Sequence, residues 1–368
     1  MKVFAIAMLL SGAFLMGCIG ESKLIIEGGG ASFPFPLIEE WIVGFNEETG
    51  IKVNYQAEGS GWGISQLADK NVDFAGSDKP LDDAERKSVT NDGKLKVFHL
   101  PETMGGVVVV YRLDGLEGKT LDLNGSVIAK IFKGEITRWN HRNMCDLNPE
   151  LTLPGKEIRV RHRSGGSGTT FVFTSFMHKV APAIWPGNDV DKSPDVFLLP
   201  NGNDVGTGHK GNQGVAEAIK SEDGSIGYVE LAYADSYELA RATIYGMEAN
   251  TSSIRAAAVG VMLPPADGNW EGTDILNVAG AYPIVTFTYL LVYKELSTIK
   301  GMNEDKAKAL VRFLLYIMDD KAQDIAAGKG YAPLPREVTG QNVEAIKSIT
   351  YNGENVYEGL MNDELVAG

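Results

Sequence analysis

Three stretches of this sequence set small residues and hydroxyls between a strand-like and a helix-like pattern. They are Gly28-Gly29-Gly30-Ala31-Ser32-Phe33-Pro34, Gly59-Ser60-Gly61-Trp62-Gly63 and Ser164-Gly165-Gly166-Ser167-Gly168-Thr169-Thr170. That composition suits an oxyanion. The first N–H groups of a helix have no intrahelical acceptor, and the aligned peptide dipoles put partial positive charge at the same end. Glycine lets backbone approach a ligand closely, and Ser or Thr adds a hydroxyl donor. Two or three such ends facing one another would cage a tetrahedral anion. Taken singly, each stretch reads equally well as an ordinary loop. None carries the Lys-Ser/Thr of a Walker A loop, and no acidic residue stands at the distance a dinucleotide fingerprint needs. The third is close to a nucleophile elbow, but Thr169 stands where the final Gly belongs.

Each turn needs a strand before it and a helix after it. Leu24-Ile25-Ile26 reads as a strand leading to the first turn, and Leu37, Ile38, Trp41, Ile42 and Phe45 mark one face of the helix beyond it. Lys52–Gln56 alternates as a strand before the second turn, with Ile64, Leu67 and Ala68 on a short helix. Val72–Asp78 is a further strand running into a loop, with Pro80 after it. Ile158–Arg163 precedes the third turn, and Phe173, Phe176, Met177 and Val180 recur at helical spacing behind it. This alternation predicts an α/β architecture.

A chain of 368 residues has room for two lobes. The apolar runs Val107–Tyr111 and Ile284–Tyr293 are expected to be strands that cross between them. The first lobe would then combine residues 24–106 and 286–368, and the second would be 107–285. Ala307, Leu310, Val311, Leu314 and Ile317 predict an amphipathic helix packed on the first lobe.

The formal net charge is −14, and without residues 1–17, which hold one Lys and no acid, 33 basic against 48 acidic residues leave −15. So acidic a chain is a poor nucleic-acid binder, because affinity for a phosphate backbone comes from clustered Lys and Arg. It is no obstacle to a small anion. Exposed charge is screened beyond ~8–10 Å, and a desolvated ring of donors sets its own local field. The N-terminus reads as an address. Lys2 precedes an apolar run, Val3–Phe14, and Leu15-Met16-Gly17-Cys18 has the form of a lipobox, in which the Cys takes a lipid anchor. The run is short of the ~20 residues that span a bilayer, and it fits a secretory signal. A plain signal peptide with a chance Cys is the alternative. Residues 19–23 would be a tether. Cys145 is then the one remaining Cys, so no internal disulfide is expected.

Four segments together resemble the phosphate-specific substrate-binding proteins of ABC importers: Gly28–Pro34, Val53–Gln56 with Gly59-Ser60-Gly61, Val72–Ser77 with Asp78, and Arg163–Ser175. Lesser matches are Lys210-Gly211-Asn212, Ile226–Glu230 and Tyr282-Pro283-Ile284. The resemblance implies a two-lobed type II periplasmic binding-protein fold, two crossover strands and a ligand cleft between the lobes. It implies an extracytoplasmic receptor, expected to be monomeric, that is no enzyme, needs no cofactor or metal, and delivers inorganic phosphate to membrane permease subunits. Carried over, the ligand residues would be Ser32, Phe33 through its backbone N–H, Ser60, Asp78, Arg163, Ser167, Gly168 and Thr169.

The roles are chemically coherent. Arg163 and the donors favour an anion through charge-assisted hydrogen bonds. A carboxylate at Asp78 suits an anion that carries a proton of its own: phosphate at neutral pH has a P–O–H, sulfate has none. The most efficient small ligands gain roughly 1.5 kcal/mol per heavy atom, which places phosphate near about −7.5 kcal/mol and a Kd on the order of micromolar. This chain departs from the family pattern in two places. Gly165 replaces the Asp that pairs with the Arg, and Trp62 replaces a small residue and would either wall the cleft or pack beneath it, the second being favoured. The rivals are another oxyanion in the same fold, a phosphoester hydrolase and an adhesion module. For the second, the five histidines (His99, His141, His162, His178 and His209) form no metal motif.

Overall fold

A computed structural model describes residues 24–187 and 191–367, with side chains to residue 363. The signal segment, Cys18 and the tether lie outside the described residues.

The first three strands, β1 (Ile25–Gly30), β2 (Lys52–Gln56) and β3 (Phe74–Ser77), run parallel in the order β2-β1-β3. Helices α1 (Phe35–Thr49) and α2 (Ser60–Ala68) connect them. The α1 helix buries Leu37, Ile38, Trp41 and Phe45, close to the face expected from its spacing. The helix Glu304–Met318 closes this lobe, with Phe313 against both Phe45 and Phe74. The second lobe places the strand Arg159–Arg163 between Ser225–Glu230 and Gly206–His209, all parallel. Its core is aromatic: Phe132, Phe173, Phe197 and Tyr228 meet ring to ring.

One long strand joins the two halves. β4 (Val97–Arg112) pairs antiparallel with the return strand Val285–Tyr293 through residues 97–106, and with Ser225–Glu230 through residues 107–112. The Val107–Tyr111 run is therefore only its second-lobe end. The upstream end lies hidden from pattern reading behind His99, Pro101 and Glu102. Pro101 is tolerated in a central strand because the register slips there: Tyr289 faces Pro101 and Thr288 faces Thr103, leaving Glu102 as the extra residue of a bulge.

At one segment the structure departs from the chain division expected from the sequence. Residues 263–270 were expected in the second lobe but lie on the first. Ala266 O accepts from His99 N at 2.8 Å, Asp267 pairs with Lys96, and Trp270 stacks on His99. A little further on, Asp274 pairs with Lys179 of the second lobe. This segment thus straps the two lobes together along one side. Its polar anchors are long-range, and no local pattern reports them.

Candidate functional site

The first-lobe wall is built by the turn after β1. At Gly30, φ is +143° and an added Cβ would sit 2.2 Å from Gly76 O, so only glycine lets β1 lie this close to β3. Tyrosine hydroxyls then take three consecutive carbonyls: Tyr55 bonds Ala31 O at 2.9 Å, Tyr233 bonds Ser32 O at 2.7 Å and Tyr331 bonds Phe33 O at 2.7 Å. In a planar trans peptide the N–H points opposite to the C=O. Holding the carbonyls therefore turns the Ser32 and Phe33 N–H groups the other way, and among the described residues the Phe33 N–H meets no acceptor. The Phe33 ring packs on Gly105 of β4, where a Cβ would come within 2.3 Å of it. Neither α1, which follows Pro34, nor α2, which follows Gly59, has a side-chain cap, so their first-turn N–H groups are not spent on one.

The second-lobe wall is the turn after Arg159–Arg163. There the helix Gly168–Val180 is capped by Ser167, whose Oγ accepts from Thr170 N at 3.1 Å. The two walls touch. Ser60 Oγ accepts from Asp78 N at 3.1 Å and from Gly168 N at 3.2 Å, and Thr169 Oγ1 donates to Asp78 Oδ2 at 3.2 Å. A Cβ on Gly168 would sit 2.5 Å from Ser60 Oγ, which explains the glycine there. Arg163 Nη1 reaches Thr169 Oγ1 at 3.4 Å. Five expected site residues (Ser60, Asp78, Arg163, Gly168 and Thr169) thus form one bonded group spanning both lobes. Ser32 and Phe33 line the adjoining turn, and Ser167 sits at the helix cap.

Electrostatically the group is unfinished. Arg163 is 2% exposed, and among the described residues no carboxylate lies within ion-pair distance of it. Its Nε and Asp78 Oδ1 are buried without a hydrogen-bond partner. Burial pushes the Asp78 carboxyl up to about 7, against the pull of Arg163 and of bonds from Thr169 and Ser60. Burial likewise presses the Arg163 guanidinium down, which Tyr228, Asp78 and Tyr233 oppose. Two more buried carboxyls lie behind the site. Glu102, the bulge residue, is pushed up to about 8 by burial, with the bond from Thr288 pulling the other way and Asp78 adding to the rise. Glu230 is raised well above the carboxylate range, mainly by burial. At position 165 an added Cβ would meet nothing within 4 Å, so the glycine there answers no steric demand of this fold.

Sequence reading missed the residues that hold the site from behind. Tyr55 and Asn212 fall in segments that carry the resemblance and Tyr233 and Tyr331 in none, but all four bond the site through partners from 24 to 298 positions away, so their supporting role has no local signal. The second turn is also shorter than expected, because Ser60 already opens α2 and Gly61-Trp62-Gly63 lie within it. Trp62 packs over Gly29 of β1, in line with a packing role. His99 is a core residue: its Nε2 accepts from Leu81 N at 3.3 Å, and burial pushes it down to about 3. His162 is 1% exposed and bonds Asp204 at 2.7 Å, and its ring packs on Phe197.

The PBP superfamily domain matches residues 20–320. The phosphate-binding protein PstS of Haemophilus influenzae is 36% identical over 335 residues, covering 88% of this chain and 91% of the relative. The chain belongs to the PstS family of phosphate-binding proteins. Solved structures agree on the fold. A high-affinity periplasmic phosphate-binding protein (PfluDING) bound with phosphate superposes with a TM-score of 0.70 at 21% identity, covering 91% of this chain and 98% of the other. An ABC-type phosphate transport receptor from Vibrio cholerae gives 0.52 at 15% identity, covering 84% and 100%. The two-lobed fold of this chain is thus one found among solved phosphate-binding proteins.

Proposed function

We propose that this chain is a non-enzymatic receptor that binds inorganic phosphate between its lobes and delivers it to the permease subunits of an ABC importer. The ligand donors would be Ser32, the Phe33 N–H, Ser60, Arg163, Ser167, Gly168 and Thr169, with Asp78 as acceptor. One observation carries the reading. Where the lobes meet, a buried cation and a buried carboxylate each keep one unmatched atom, Arg163 Nε and Asp78 Oδ1. A protonated oxyanion matches both, since its oxygens accept from Arg163 and its P–O–H donates to Asp78. A proton-free anion matches only the first. Family membership supports the same ligand, and a structural neighbour of the same fold is bound with phosphate. Calorimetry with phosphate and with sulfate at pH 8 tests this. Phosphate is expected to bind at about micromolar affinity or tighter, with sulfate far weaker. Equal affinities would overturn the role of Asp78.

The location belongs to the same proposal: an extracytoplasmic protein held to the cell membrane by a lipid on Cys18. Its support is the signal-like segment ending at Leu15-Met16-Gly17-Cys18. Among the described residues no helix is long and apolar enough to cross a membrane. Cys18→Ala is expected to move the protein out of the membrane fraction; its retention there would count against the anchor.

A further inference from the structure

Asn212 is the second residue of the helix Gly211–Ser221 of the second lobe and is fully buried. It makes four hydrogen bonds. Its backbone N–H and its Nδ2 both donate to Ser32 Oγ, at 3.3 and 3.1 Å. Nδ2 also reaches Thr169 Oγ1 at 3.3 Å. Its Oδ1 accepts from Glu230 N at 3.1 Å. That last bond fixes which way the amide faces, because a backbone N–H can only donate and so demands the oxygen. The NH2 group is thereby committed, one hydrogen toward each hydroxyl.

The consequence lies in the hydroxyls. A hydroxyl has two acceptor positions and one proton. Asn212 fills both acceptor positions of Ser32, so Ser32 keeps only its proton to offer, and among the described residues no acceptor takes it. Thr169 Oγ1 accepts from Asn212 and from Arg163 Nη1, so its proton goes to Asp78 Oδ2. Asp78 Oδ1 is left as the free acceptor. Resting on the phosphate reading above, we propose that Asn212 is a positioning residue. It points the Ser32 proton at the anion and, through Thr169, reserves one oxygen of Asp78 for the proton of the ligand. It does so across the lobe boundary, so this polarity is complete only when the lobes are together. Gly211 makes the approach feasible: its φ of +68° turns the chain so that this helix begins against Ser32.

The test is phosphate and sulfate calorimetry on wild type, Asn212→Ala, Asn212→Asp, Ser32→Ala and the Ser32→Ala/Asn212→Ala pair, with the ligand-free melting midpoint of each. Losing the oriented donor is expected to weaken phosphate by about tenfold or more, the scale of a hydrogen bond to a charged group. Asn212→Asp keeps the volume but reverses the polarity, so both hydroxyls turn toward the new carboxylate; it should bind phosphate worse than Asn212→Ala. The effect of Asn212→Ala should shrink in the Ser32→Ala background, because one acts through the other. A space-filling role predicts the reverse ranking, Asp better than Ala, and independent effects. If Asn212→Ala does not fold, the isosteric Asn212→Asp takes its place in the pair with Ser32→Ala: a loss of affinity that shrinks in the Ser32→Ala background supports positioning, and independent effects overturn it. Wild type that binds phosphate beside an Asn212→Ala variant of equal affinity would overturn this role alone. Wild type that binds no phosphate would overturn the site and this role with it.

Discussion

The two walls of the cleft solve the same problem with different chemistry. The first lobe offers N–H groups at two helix starts without side-chain caps, two serine hydroxyls and, against expectation for an anion, the carboxyl of Asp78. The second lobe offers the cation, Arg163, and a helix start already capped by its own Ser167. Neither wall suits phosphate alone. The first lacks compensation for the ligand's charge. The second would take any anion. On the proposed reading, charge attraction and proton recognition fall to different lobes, so selectivity would exist only where they meet. Burial sharpens the division, because both charged groups lose solvent that neither fully recovers from its own lobe.

The contrast can be broken most sharply from the first-lobe side. Asp78→Asn should collapse the preference for phosphate over sulfate, which in sites built around a required donor is on the order of 10⁴-fold. Paired phosphate and sulfate titrations would register it, and unchanged selectivity would remove Asp78 from recognition. The same group predicts a pH effect. Its carboxyl sits at about 7 in the ligand-free protein. Below that pH it is protonated and can donate to sulfate, so sulfate affinity should rise as pH falls through about 7. Asp78→Asn should lose that dependence.

From the second-lobe side, Arg163→Gln should weaken phosphate and sulfate alike by about 2–5 kcal/mol, the usual cost of truncating a buried charge partner. A loss confined to phosphate would contradict the separation of roles.

Behind the walls, Glu102 has a folded-state pKa near 8 against an ordinary 4.5. Between those values the folded protein holds more protons than the unfolded chain, so stability falls as pH rises through that window. Glu102→Gln mimics the protonated acid and should flatten the decline in ligand-free melting temperature from pH 5 to pH 8. A slope equal to wild type would show that Glu102 ionises freely.

The smallest effect belongs to the rim. Lys192 of the second lobe pairs with Glu85 of α3 (Asp83–Thr90) in the first, and its carbonyl accepts from Ser167 N at 2.9 Å. Lys192→Ala removes a partly exposed pair worth up to ~1 kcal/mol. Stopped-flow phosphate release should become a few-fold faster, and the gap should close at high salt as screening dissolves the wild-type pair.

Much of this protein is set by its residue order. Strand, small-residue turn and helix follow one another at Gly28–Pro34, at Gly59–Ser60 and at Ser164–Thr170, because periodicity and glycine placement act over a few residues. The types of donor, and the conjunction of one arginine with one aspartate, are legible for the same reason. Tertiary structure decided the rest. The bulge that seats Glu102 exists because Pro101 meets Tyr289 across a ladder from a distant part of the chain. The tyrosines that fix the Ser32 and Phe33 peptides arrive from β2, from the second lobe and from the C-terminal third. The proton directions of Ser32 and Thr169 depend on Asn212, which reaches Ser32 across 180 positions. Hydrogen-bond partnership inside a buried cleft is a property of what packs there, and burial, which gives each of those bonds its weight, comes only with the assembled fold.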